Sequence, residues 1–158
     1  MDNVVFRDAR PEDAALIVQM IRYMVTDMAA YGGHPPAGED LAWEKMQAAI
    51  ADELKGSGAR FMIAEAAEGA SVGVAGAQQV TLDGAFAPRR VWHISVVYVL
   101  PQFRRAGIGG QLLARILDCG RAAGIEQCDL NVLAGNPAKS LYEKHGFSVL
   151  EVRMVRSL

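Results

Sequence analysis

From Val91 to Val99 the chain runs through β-branched and aromatic side chains, and Arg104 to Gly110 then form a loop bearing Gly107, Gly109 and Gly110. Ile108, Leu112, Leu113, Ile116 and Leu117 follow at helical spacing, and Cys128 to Leu133 is again strand-like. This strand, helix, strand unit constrains the fold most, because it makes the chain a mix of sheet and helix. It also puts a glycine loop at the start of an amphipathic helix. Amides there point outward unpaired, the helix dipole adds partial positive charge, and glycines let an oxygen approach without a Cβ in the way. Such a loop can hold a phosphate, with Arg104 and Arg105 adding charge and donors. A tight turn with two solvated arginines is the simpler alternative.

The rest of the chain fills in around this unit. Val4 to Arg7 reads as a short strand. Pro11-Glu12-Asp13 is a helix start, since proline has no N–H to waste at the first helical position and the two carboxylates face the positive end of the dipole. Ala14, Ile17, Val18, Ile21, Val25 and Met28 make one helix face that ends by Gly32-Gly33; Trp43, Met46, Ile50 and Leu54 mark a second helix. Phe61 to Ala66, Val72 to Leu82 and Val91 to Val99 are three strands whose short links imply antiparallel pairing. Asn136-Pro137 is a cap before a helix that ends at Gly146, and Phe147 to Val155 reads as a last strand. The expected fold is therefore α/β (α+β): a mixed, largely antiparallel central sheet flanked by helices, in the order β-α-α-β-β-β-α-β-α-β.

The 158 residues make one domain, 1–158, with no linker or repeat. Alanine supplies 25 of them, so the core must be tight rather than bulky. The net charge of −2, with both signs interleaved, argues against sequence-independent nucleic-acid binding, which needs many cations. No apolar run approaches membrane-spanning length, and no basic leader precedes the first strand. Cys119 and Cys128 form no disulfide framework and read as packing residues, so a cytoplasmic location is expected. His34, His93 and His145 lack ligand spacing, so no metal is expected. Gly69-Ala70-Ser71-Val72-Gly73 spells a nucleophile-elbow pattern, but a strand rather than a helix follows Ser71.

Of two specific readings of the glycine loop, one fails on residues and the other is weakened. A P-loop needs a lysine after the glycines, and none follows; a dinucleotide fingerprint needs a third glycine where Leu112 stands, although Asp129 lies at a tempting distance on the next strand. A third reading explains more. Val99-Leu100-Pro101-Gln102-Phe103-Arg104-Arg105-Ala106-Gly107-Ile108-Gly109 resembles the V-x-P-x-x-[RQ]-x-x-G-x-G/A element of the GCN5-related N-acetyltransferases. Asn136-Pro137-Ala138-Lys139-Ser140-Leu141-Tyr142-Glu143-Lys144-His145-Gly146-Phe147 resembles that family's second signature, N-x-x-A-x-x-L-Y-E-K-x-G-F. With the family-like opening Val5 to Ala14 and the element order, the resemblance spans residues 4 to 156.

The resemblance implies an acetyl-CoA-dependent N-acetyltransferase, with acetyl-CoA as co-substrate and a small-molecule or peptide amine as acceptor. It implies that the N–H groups of Arg104, Arg105, Ala106, Gly107, Ile108, Gly109 and Gly110 bind the coenzyme pyrophosphate, and that the main chain at Val97 and Val99 pairs with the pantetheine arm. Asn136 matches a coenzyme-contacting asparagine, and is equally a plain helix cap. Tyr142 matches the tyrosine near the thioester sulfur, where a phenol can donate to the leaving thiolate. Many relatives carry a glutamate base on the strand before the loop, whereas no acid occurs here from Val91 to Arg104. His93 stands near that place and, by simple alternation, shares a face with Ser95, Val97 and Val99; it is the candidate base, with a water relay or prior deprotonation as rivals. Family likeness also points to Tyr31, Gly32, Gly33, His34 and Asn131 as the acceptor pocket. A last strand bearing Leu150, Val152 and Met154 on one face can pair across a homodimer. The alternatives are an acyl-CoA-binding module without turnover and, more remotely, a dinucleotide-binding protein.

Overall fold

A computed structural model describes residues 4–32, 42–85 and 87–158. The elements, in chain order, are strand β1 (Val5–Asp8), helices α1 (Ala14–Met28) and α2 (Ala42–Glu53), strands β2 (Ala59–Glu65), β3 (Ser71–Leu82) and β4 (Arg89–Val99), helix α3 (Ile108–Ala122), strand β5 (Gln127–Leu130) and helix α4 (Lys139–Lys144). They build one five-stranded sheet in the order β1-β2-β3-β4-β5. The first four strands pair antiparallel and β4 with β5 parallel. The mixed, largely antiparallel class expected from the sequence is the class observed. Among the described residues no helix is long and apolar enough to cross a membrane.

Each face of the sheet has its own core. Under α3 lie Ala64, Ala75 and Ala77, whose short side chains let the helix residues Leu112, Leu113 and Ile116 reach the strands. Trp92 fills the far end of this layer, with its indole N–H donating to the Ile116 carbonyl at 2.9 Å. A Cβ on Gly120 would stand 2.7 Å from the Trp92 ring, so this helix position must be bare. The other face packs Ile17, Val18 and Ile50 of α1 and α2 on Phe61, Ile63, Val74, Val96 and Tyr98.

Three expectations need correction. The parallel strand stops at Leu130 rather than Leu133, so Asn131 lies just past the ladder and is exposed. Asn136 is not the cap of α4, which starts at Lys139 after Ala138; its side-chain oxygen instead accepts the Ala138 N–H at 2.9 Å in the turn before the helix. The last strand, Phe147 to Val155, does not form: β5 is the edge of the sheet and residues 147–158 pair with no strand. A strand exists only as a partner in a ladder, so an alternating pattern without an accepting edge produces none.

Candidate active site

Pro101 to Phe103 form a single 3-10 turn after β4. The chain then reverses through Arg105 at φ +68° and Gly107 at φ +80° into α3. Glycine adopts this left-handed conformation freely; Arg105 does so at a cost of roughly 1–2 kcal/mol. The Arg104 N–H is used by Pro101, and intrahelical bonding resumes with Gln111 donating to Gly107. Between them, the N–H groups from Arg105 to Gly110 find no backbone acceptor among the described residues. A concave row of free amides at a helix start is an anion cradle.

The Arg104 side chain does not face that cradle. Its Nε donates to the Val99 carbonyl at 2.8 Å, its Nη2 pairs with Asp27 at 2.6 Å, and the guanidinium lies over the Tyr98 ring at 5.2 Å. Tyr98 donates its hydroxyl to the same carboxylate at 3.2 Å, and burial, then Asp27, pushes its phenol upward. Arg104 therefore clamps the loop to the last turn of α1. Asp27 had no signal in the sequence, because the pair spans 77 positions.

β4 departs from regular pairing at one residue. Ile94 lies opposite Ala77 and Val96 opposite Gly76, so Ser95 is a bulge, its hydroxyl on the Gly76 carbonyl at 3.3 Å. The ladder with β5 ends at the same point, at Ile94 and Leu130. A bulge bends its strand and raises its twist, which is why β4 peels away from β5 here. Beyond the bulge, Leu100 donates to Val72 at 2.9 Å and sets the phase of the ladder with β3. Tyr98 and Val96 then bond to β3, while Val97 and Val99 turn their N–H and C=O groups to the open side. Of these, the Val99 carbonyl is taken by Arg104.

The bulge also changes which side chains share a face. Trp92 and Ile94 belong to the α3-side core and so do Val97 and Val99, whereas Val96 and Tyr98 belong to the α1-side core. His93 therefore faces the α1 and α2 side with Val96 and Tyr98, and the alternation expected from the sequence is overturned at Ser95. Its ladder partner on β5 is Asp129, and His93 Nδ1 lies 2.7 Å from Asp129 Oδ1. Asp129 enters the sequence reading only as the acid at a tempting distance in the dinucleotide reading; the register that puts it beside His93 cannot be read from the chain.

α4 packs on the α3-side core, beside the slot left where β4 and β5 part after Ile94 and Leu130. A Cβ on Gly109 would touch Leu141 at 3.5 Å, and one on Gly110 would touch His145 at 3.4 Å, so α4 packs against the first turn of α3. Tyr142 is half-buried against the α3-side core, edge-on to Phe147 with ring centres 6.0 Å apart, and burial alone pushes its phenol upward. The Tyr31 carbonyl oxygen lies 3.9 Å from where a Gly135 Cβ would stand, which brings the 3-10 turn after α1 to the β5–α4 loop. Gly33 and His34 fall outside the described residues.

This fold, with a splayed β4 beside an amide-lined loop, agrees with an independent match. The acetyltransferase (GNAT) domain model matches residues 57–149. That is more than half of the chain, which therefore belongs to the GNAT family and carries an acetyltransferase domain. No curated protein matches the sequence. Among solved structures the chain is similar to a predicted acetyltransferase from Clostridium acetobutylicum, crystallised with acetyl-CoA, at 18% identity and TM-score 0.79 over 98% of this chain and 96% of that one. It is similar to glucosamine-6-phosphate N-acetyltransferase from Arabidopsis thaliana at 16% and 0.68 over 99% of each chain. It is similar as well to AAC(6')-Iy, crystallised with the bisubstrate analog CoA-S-monomethyl-acetylneamine, at 20% and 0.68 over 99% of each. At these identities the likeness carries the fold.

Proposed function

We propose that this chain is an acetyl-CoA-dependent N-acetyltransferase that moves the acetyl group to a primary amine by direct attack, with both substrates bound together. The observation that carries the reading is the open edge of β4 past the Ser95 bulge, running up to the row of free amides at Arg105 to Gly110. An extended arm with its own amides completes such an edge as a strand would, and a pyrophosphate at the arm's end fits the cradle. The acetyl-CoA bound by the Clostridium protein and the bisubstrate analog bound by AAC(6')-Iy support the same reading.

The thioester supplies an activated acyl group. Around it, the Val97 and Val99 N–H groups hold the arm and polarise the carbonyl. His93 accepts the proton an ammonium must lose, because an alkylamine with a pKa of ~10 is mostly protonated at neutral pH. The new C–N bond forms as the C–S bond breaks, Tyr142 donates a hydrogen bond to the departing sulfur, and the second proton that the nitrogen loses ends on the released thiolate. Asn136, its oxygen spent on Ala138, keeps its amide NH2 for the coenzyme. Tyr31 and Asn131 serve the acceptor in this reading; His34, which the family likeness adds to them, lies outside the described residues.

Thiol release from acetyl-CoA across a panel of small and peptide amines tests this: release above the background rate with at least one amine is expected. Tight acetyl-CoA binding with no amine-stimulated release would instead make the chain a binding module, the reading that the absence of an acid from Val91 to Arg104 favours. As further partner we infer a second copy of the chain, because the exposed apolar residues Leu150, Val152 and Met154 call for a cover. The free thiols Cys119 and Cys128, the second pushed up to about 12 by burial and then by Asp129, support a cytoplasmic location.

A further inference from the structure

His93 and Asp129 sit directly opposite one another on the only parallel strand pair among the described elements, at the last step but one before the strands part. Their side chains meet at 2.7 Å and both stay partly open, at 29% and 35% exposure. A carboxylate only accepts hydrogen bonds, so the ring nitrogen facing it carries the proton. In the neutral imidazole the lone pair then resides on Nε2, the nitrogen pointing away from Asp129. No other residue of β3 or β5 on this face competes for the ring: the β3 partner of His93 is the uncharged Gln78. Of the titratable groups along the same face, Tyr98, Asp27 and Arg104 are tied to each other, and Tyr23 sets its ring against Tyr98 at 6.5 Å.

We propose that Asp129 is a positioning residue that fixes the Nδ1–H tautomer and the orientation of His93, so that Nε2 is presented to the acceptor amine as base. The inference rests on the reading of His93 as base. In the transfer, Nε2 takes one proton from the attacking amine, and Asp129 holds Nδ1–H throughout and stabilises the imidazolium formed. The pair supplies through space what a strand carboxylate would supply directly, which accounts for the missing acid on β4.

Asp129→Asn tests it, because the carboxamide carries no charge and offers Nδ1 either an acceptor oxygen or a donor NH2, so it no longer enforces one tautomer as a carboxylate does. Nitrogen NMR of histidine-labelled protein should show the His93 proton on Nδ1 in the wild type and lose that state in Asp129→Asn. The kcat should fall about tenfold to hundredfold with the KM for acetyl-CoA unchanged. The double variant His93→Ala/Asp129→Asn should be no slower than His93→Ala. An unaltered tautomer in Asp129→Asn, or an unaltered kcat where His93→Ala is slow, overturns the role of Asp129 and leaves the base in place. An unaltered kcat in His93→Ala overturns the base and the positioning role with it.

Discussion

Tyr142 shows how one environment sets one residue's chemistry. Its phenol is pushed above the usual value by burial alone, so it carries its proton throughout the neutral range. A thiol near pKa ~8.5 is a stronger acid than this phenol, so complete proton transfer to the departing sulfur runs uphill and Tyr142 acts mainly by hydrogen bonding. Tyr142→Phe should therefore lower kcat roughly tenfold to hundredfold while leaving acetyl-CoA affinity little changed. The pH sign follows from the same shift. A folded pKa above the unfolded value of ~10 gives stability that is whole below pH ~10 and lost as pH rises through the folded value. The stability difference between wild type and Tyr142→Phe should stay flat up to about pH 10 and shift against the wild type above it; denaturant titrations from pH 8 to 12 would show this, and a slope beginning near neutrality would contradict it.

At the scale of elements, packing decides against local preference in two places. Helix propensity alone would make Gly120→Ala favourable by about 1 kcal/mol, but the added Cβ would stand 2.7 Å from Trp92. That ring cannot swing away without breaking its bond to Ile116. Overpacking of this kind costs about 1–3 kcal/mol, so Gly120→Ala should lower the unfolding midpoint, and a raised midpoint would show the indole to be movable. Ser95 is the second place. The strand Val91 to Val99, the loop and the α4 signature are all legible in the chain, because each is carried by contiguous residues with their own periodicity or turn chemistry. The bulge is not, since Val96, Val97 and Tyr98 are all apolar and tolerate either face. One extra residue then reverses the side on which His93 lies and opens the slot beside it. Asp129 and Asp27 stay hidden for a related reason: their roles depend on register and on which helix end meets the loop, and neither leaves a local pattern.

For the molecule as a whole, the question is what becomes of the apolar surface it presents. Six of the nine exposed large apolar side chains among the described residues lie in the last ten positions, with Val152 at 77% and Met154 at 88% exposure. Single exposed apolar residues are ordinary, but such a concentration in one extended segment is not. Both sheet edges are short, four residues each in β1 and β5, which limits edge-to-edge pairing of the strands themselves. The C-terminal segment has apolar residues to bury and unpaired backbone groups to satisfy, and a second copy offers the same segment in return, which is the symmetry a closed dimer requires. Val152→Asp with Met154→Asp replaces two of these side chains by charges and touches neither sheet core nor slot. Sedimentation equilibrium should show a dimer for the wild type and a monomer for the double variant, with acetyl-CoA binding retained in both. A wild type that stays monomeric at high micromolar concentration would mean that the segment is covered within its own chain or left in water.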